Sequence, residues 1–178
     1  IVDAANGRTI MKYPWKTSYD VNAVTPIVRD GKVFISSGYG TGCTLLDISG
    51  AKPRPLYRNK DMCNHMNTCV LLDGVLYGVS GNAGRRGDVV AMDFASGEVR
   101  WRQGGLGTGS LMIADGRLIV LGEQGRLVTA PGRPSAFRPT GQSDVLKRIC
   151  WTVPVLADGR IYCRNDKGHL VCLDVQGK

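Results

Sequence analysis

The side chains best suited to chemistry are few and scattered. Two histidines, six cysteines and 15 acidic residues stand in a chain of 178. A hydrolytic triad needs a nucleophile, a histidine and a carboxylate held together. Neither His65 nor His169 stands beside such a motif, so no catalytic residue is named. A soft-ligand metal site would call on Cys63, His65 and Cys150. Zinc sites rest on short spacings of the Cys-x-x-Cys kind, which the sequence lacks, so no metal is expected. Gly38-Tyr39-Gly40-Thr41-Gly42 has the composition of a phosphate-cradling loop, but that fingerprint works only where a helix follows and offers its N-terminus. Here a strand-like run follows, and a hairpin turn is expected. Arg86-Gly87-Asp88 spells an adhesion tripeptide whose Gly and Asp also begin a strand, which is turn chemistry.

These residues hang on a repeat. Asp-Gly pairs begin at Asp30, Asp73, Asp115 and Asp158, and each is followed by a β-rich run such as Val75-Leu76-Tyr77 or Arg160-Ile161-Tyr162. A second run follows after a glycine-bearing turn, as in Gly87 to Asp93, Gly125 to Ala130 and Gly168 to Asp174, and the two make a hairpin. An innermost strand precedes each Asp-Gly: Thr25 to Val28, Thr68 to Leu71, Ser110 to Ile113 and Val153 to Leu156. Glu98 to Trp101 reads as an outer strand. The stretch from Ala130 to Lys147, with three prolines, reads as a loop or an irregular outer strand. No helical periodicity is sustained. A period of just over 40 residues is that of a β-propeller blade. The fold class is therefore all-β, a propeller of four-stranded antiparallel blades. Residues 1–178 form a single region of about four blades within a seven- or eight-bladed ring.

Composition sets further limits. With 43% hydrophobic and 21% charged residues, the chain lies in the range of globular domains. No run is apolar and long enough for a membrane span, and no secretion signal stands in the residues given. The net charge of +8 comes from scattered Lys and Arg, so nucleic acid is not the expected partner. The opening residues, Ile1 to Gly7, read as a strand end and its turn, so the chain is expected to be the C-terminal half of a longer one. The segment Arg8 to Lys12 reads as an outer strand, expected to complete the last blade by pairing with residues 169–174, within a longer parent chain or between copies.

The string from Gly87 to Trp101, with Ala91, Asp93, Ser96 and Gly97 in place, resembles the pyrroloquinoline-quinone (PQQ)-type propeller repeat, and Gly168 to Gly177 matches it partly. Pro14 to Asp20 and Cys150 to Leu156 resemble a subgroup of large bacterial exported proteins sometimes labelled as related to polyvinyl alcohol dehydrogenase. The resemblance implies that Trp15, Gly97, Trp101 and Gly177 dock one blade on the next, and that the chain is periplasmic or extracellular. It does not imply a cofactor. Quinoprotein dehydrogenases carry adjacent cysteines and calcium-binding residues, and this sequence has no Cys-Cys pair. PQQ and calcium belong only to an alternative reading, a fragment of a PQQ-dependent alcohol dehydrogenase.

Propellers bind where the loops entering the innermost strands converge. By position in the repeat, Asn22, His65, Gly107 and Cys150 occupy one ring. The candidate channel-mouth residues are Asp20, Asn22, Asn64, His65, Asn67, Thr108, Cys150 and Trp151, which would meet a protein or small-molecule ligand. The leading expectation is a non-catalytic binding or scaffold platform of the bacterial envelope, whose other partners are the remaining blades of a parent chain or a second copy. A carbohydrate- or polymer-binding propeller, stacking through Trp15, Tyr19, Tyr39 and Trp151, is a further alternative.

Overall fold

The computed structural model describes residues 1–147 and 149–176. After a short 3-10 turn at Ser18–Asp20, β1 (Ile27–Arg29), β2 (Lys32–Ser37), β3 (Gly42–Asp47) and β4 (Arg54–Asn59) form the first blade. The second blade is β5 (Val70–Leu72), β6 (Val75–Gly81), β7 (Gly87–Asp93) and β8 (Val99–Gln103). The third is β9 (Ser110–Ala114), β10 (Arg117–Leu121), β11 (Arg126–Pro131) and β12 (Gly141–Asp144). The fourth is a three-stranded sheet of β13 (Val155–Ala157), β14 (Arg160–Arg164) and β15 (Leu170–Asp174). Strands pair antiparallel in chain order within each sheet. Among the described residues no helix is long and apolar enough to cross a membrane.

The Asp-Gly pairs set the blades by local conformation. All four Asp have φ of 47° or 48°, and the glycines that follow have φ between 65° and 77°. Two successive left-handed residues make the type I′ turn, whose twist matches that of the flanking strands, and Asp-Gly tolerates it with little strain. One further bond recurs in every blade. The N–H groups of Ile48, Phe94, Gly132 and Val175 donate to the carbonyls of Gly31, Gly74, Gly116 and Gly159 at 2.8 to 2.9 Å. The first and third turns of each blade thus lie at one end of the molecule, the turn end. The hairpins between second and third strands and the loops leading into the next blade lie at the other, the entry end.

Alternation along the two middle strands buries both faces of a blade. Leu76, Val90 and Met92 pack back on Phe34, Cys43 and Leu45 of the first blade. Tyr77, Val89 and Ala91 pack forward on Leu111, Leu118, Val120 and Val128 of the third. Ile119, Leu121 and Leu127 meet Ile161 and Cys163 of the fourth. Each fully buried aliphatic side chain of this kind contributes about 1.5–3 kcal/mol. The outer strands β4 and β12 remain largely exposed.

Within the chain, the expected pairing of residues 8–13 with residues 169–174 is not found. Among the described residues β15 pairs with β14 alone, and residues 1–11 fold back on themselves. Val2 bridges Thr9, Asp3 N–H donates to Arg8 O and Gly7 N–H to Asp3 O, both at 2.8 Å, and Ala5 N–H donates to Asp3 Oδ1 at 2.9 Å. The turn between β7 and β8 has the same bonds, from Asp93 to Glu98 O, from Gly97 to Asp93 O and from Ala95 to Asp93 Oδ1. One edge of residues 8–10 is therefore already engaged by residues 1–3.

Candidate functional site

Entry loops of neighbouring blades are tied to one another at the period of the repeat. Thr25 N–H donates to Thr68 Oγ1 across 43 residues, Asn67 Nδ2 to Gly109 O across 42, and Ser110 Oγ to Thr152 O across 42. The first strands of the second and third blades, β5 and β9, also approach closely. These loops lie where the blades converge.

At their centre stands Glu123, a carboxylate only 6% exposed. Its Oε1 accepts Gly84 N–H at 2.8 Å and the Trp151 indole N–H at 2.9 Å, and its Oε2 accepts Thr108 N–H at 3.3 Å. Its backbone carbonyl accepts Cys150 N–H at 2.8 Å. One acidic side chain thereby joins loops of the second, third and fourth blades. A buried carboxylate needs such donors, because each missing partner costs about 1–3 kcal/mol.

Of the sequence-expected ring, Thr108, Cys150 and Trp151 gather on Glu123. The Thr108 hydroxyl lies 2.8 Å from Asn82 O and 3.3 Å from Arg85 O. Cys150 is fully buried, and burial raises its thiol pKa. His65 reaches the same network through the loop of residues 82–86. Its Nδ1 accepts Ala83 N–H at 3.0 Å, which places the proton of the neutral ring on Nε2. The His65 ring meets Tyr39 edge-on at 4.7 Å, and Tyr39 meets Tyr19 at 5.0 Å. Both tyrosines hold a left-handed backbone, with φ of 60° at Tyr19 and 53° at Tyr39, a conformation that costs a bulky residue about 1–3 kcal/mol.

The remaining expected residues do not join this group. Asn64 turns into the core, fully buried, with its N–H on Ser36 Oγ and its Nδ2 on Val79 O. Asn67 bridges to the third blade. Asp20 and Asn22 stay exposed on the first blade, where Asn22 bonds to Thr17, Ser37 and the Asp20 carbonyl.

The docking residues sit at the outer rim. The Trp101 indole donates to Arg133 O at 2.9 Å and tilts against Tyr77 and Phe137, joining the second blade to the third. Gly97 lies under the Tyr57 ring, where a Cβ would come within 2.8 Å of it. Tyr57 donates its hydroxyl to Phe94 O at 3.1 Å, and burial raises its pKa. Trp15 stays with the first blade, donating to Ser37 Oγ at 2.9 Å beneath the Arg58 guanidinium, 4.9 Å above its ring. Gly177 lies outside the described residues.

Sequence reasoning missed Glu123 and Tyr57. Counting from each Asp-Gly, Glu123 falls where the first two blades have Gly38 and Gly81. That replacement of glycine by a long acid is the signal that marks it.

A cleft of about 600 Å³ opens at the entry end between the second and third blades, with Arg85, Arg86, Asp88, Glu123 and Gln124 on its walls. A second, of about 640 Å³, opens at the turn end and is lined by Asp73, Asp93, Phe94, Arg100 and Pro134. There Arg100 and Asp93 are committed to each other, paired at 2.7 Å. The Asp93 pKa is lowered chiefly by that bond. Among the described residues no three His, Cys, Asp or Glu side chains gather as metal ligands.

Successive four-stranded blades with I′ turns, packed face to face and tied at one end, define the chain as a β-propeller module built of PQQ-like repeats. A family model described as outer membrane protein assembly factor BamB matches residues 1–103 and again residues 85–178, and the chain belongs to that family. It is 32% identical over 108 residues to the factor BamB of Salmonella typhimurium and 31% over 109 residues to that of Escherichia coli. Each match covers 61% of this chain and 26% of the relative. Among solved structures, BamB from Moraxella catarrhalis superposes with a TM-score of 0.67 at 16% identity, over 88% of this chain and 45% of that one. Quinohemoprotein alcohol dehydrogenase from Comamonas testosteroni gives 0.73 at 14% identity, over 97% and 38%. The computationally designed Ika4 protein gives 0.68 at 9%, over 95% and 99%. At these identities the structural likenesses establish the fold.

Proposed function

We propose that the chain is a non-catalytic propeller module of a longer periplasmic protein, and that it serves as a protein-binding platform in outer membrane protein assembly. The observation that carries the reading is the Glu123 network. Its carboxylate, Trp151, Thr108 and the residue 82–86 loop use their polar groups to hold one another, which builds a fixed surface and leaves no nucleophile–base pair poised to react. His65 likewise receives a backbone N–H where a general base would face a hydroxyl or water. Family membership supports the same reading.

The quinone-dependent alternative lacks the adjacent cysteines of that family in this sequence, and no cofactor is proposed. Deleting the gene segment for this chain in its host should lower outer membrane protein levels and admit large antibiotics. Unchanged levels would count against the platform. Alcohol-dependent dye reduction by the purified protein, supplied with PQQ and calcium, would overturn its non-catalytic character.

A further inference from the structure

The loop of residues 82–86 is held from three blades. Asn82 Oδ1 accepts Tyr39 N–H of the first blade at 2.7 Å. Ala83 N–H is taken by His65 of the second blade's entry loop, and Gly84 N–H by Glu123 of the third. The Thr108 hydroxyl closes on the carbonyls of Asn82 and Arg85. What this tethered loop presents is Arg85 and Arg86, both exposed, and among the described residues neither guanidinium has an acidic partner. The other carboxylates of this end are largely neutralised. Asp61 pairs with Arg102, Asp144 with Arg126 and Asp166 with Lys167, while Glu123 is buried among N–H donors. Lys60, Arg85, Arg86 and Lys147 stand against Asp20, Asp88 and Glu123, whose N–H donors satisfy its oxygens without cancelling its charge, so the end keeps a small net positive charge.

We propose that Arg85 and Arg86 bind an acidic, extended segment of a partner polypeptide along the cleft between the second and third blades. The proposal deepens the platform reading and rests on it. Concavity favours a polypeptide over a bilayer. A cleft of about 600 Å³ admits side chains, whereas a plane of lipid headgroups meets only its rim. Guanidinium groups on a preorganised loop pair with carboxylates in bidentate geometry at little ordering cost. The exposed edges of Tyr19 and Tyr39, next to the same loop, offer contact to apolar residues of the segment.

The test is fluorescence anisotropy of a fluorescein-labelled dodecapeptide of repeated Glu-Glu-Tyr against the whole chain at physiological salt. The double variant Arg85→Ala/Arg86→Ala should bind about tenfold or more weakly. Arg85→Lys/Arg86→Lys should fall between the two, because it keeps charge and loses the fork. Lys52→Ala/Arg133→Ala, the same charge removed elsewhere, should change binding less than about twofold. Thermal melts check that all variants fold. Equal losses in both alanine pairs, no peptide binding by the wild type, or tighter binding of phosphatidylglycerol vesicles or of a charge-matched oligodeoxynucleotide would overturn the proposal. If the double alanine variant binds normally while the gene deletion still lowers outer membrane protein levels, the platform stands and this site falls.

Discussion

The junction between the second and third blades is locked at two radii, and that between the third and fourth at one. Trp101 closes the former at the outer rim while Thr108 closes it at the entry end. At the latter, β12 is exposed along its length and brings Gly141 to the position that Trp101 holds in β8, opposite Thr129 and Ala91 respectively. The burden there falls on the entry end, on Ser110 and on Glu123 with Trp151. The difference shows that a repeat can lose its docking aromatic when a polar staple at smaller radius takes over.

The largest effect that sharpens this contrast is expected from glycine. The glycine opening the third strand of each blade faces the chain that leaves the fourth strand. A Cβ on Gly125 would overlap the Leu146 carbonyl, whereas one on Gly168 meets nothing within 4 Å. Both have positive φ, 90° and 80°. Gly125→Ala should therefore cost about 4 kcal/mol, from strain and overpacking together, and Gly168→Ala only about 1 kcal/mol, as read from denaturant midpoints. Equal costs would erase the distinction between complete and incomplete blades.

Trp101→Ala should follow, at about 3 kcal/mol, with faster amide exchange along β8 and β12. Glu123→Gln comes next, at about 2 kcal/mol. It keeps the side chain's shape and gives up charge-assisted acceptance, so exchange should accelerate in residues 149–174 while the first blade stays protected. Exchange rising evenly over the chain would break the claim that Glu123 serves this junction. Tyr57→Phe should cost about 1 kcal/mol, the worth of its bond to Phe94 O.

How far these features could be read in advance follows from range. The four Asp-Gly turns were legible because the I′ conformation is a local demand of two residues, and the hairpins came with them. The innermost strands begin two residues later than expected in the first, second and fourth blades; in the first and fourth, Pro26 and Pro154 have no N–H to give to the ladder. The strand β12 lay within a stretch read as loop or irregular outer strand. Glu123 was not singled out: only its register against Gly38 and Gly81 marks it, and nothing in Glu123-Gln124-Gly125 itself reveals that three loops distant in sequence converge on it. Within the chain the N-terminal segment pairs with residues 1–3 and not with the last blade, a choice the sequence could not show because a strand's edge does not declare its partner.

The smallest effect concerns the turn end, where the blades are alike. The Asp47 pKa is lowered to about 2, first by the Ser49 hydroxyl and amide and then by Arg54. A depressed folded pKa contributes stability that is present above the ordinary value of 3.8 and lost as pH falls through about 2. Carboxyl titration by NMR should place the midpoint near 2, and Ser49→Ala should raise it more than Arg54→Gln does. A wild-type midpoint near 4 would remove this turn from the set.

The bonds that join entry loops across 42 or 43 residues also govern how such a chain changes in length. In the Thr25–Thr68 and Asn67–Gly109 bonds donor and acceptor occupy corresponding places in successive repeats, and Ser110–Thr152 is offset by one residue, so adding or removing one whole repeat keeps the loops in phase. An insertion of any other length between Asp30 and Asp73, or between Asp73 and Asp115, keeps those bonds only by bulging out of the framework. Growth by complete blades, with elaboration confined to outward loops, is the course that this hydrogen-bond phase permits.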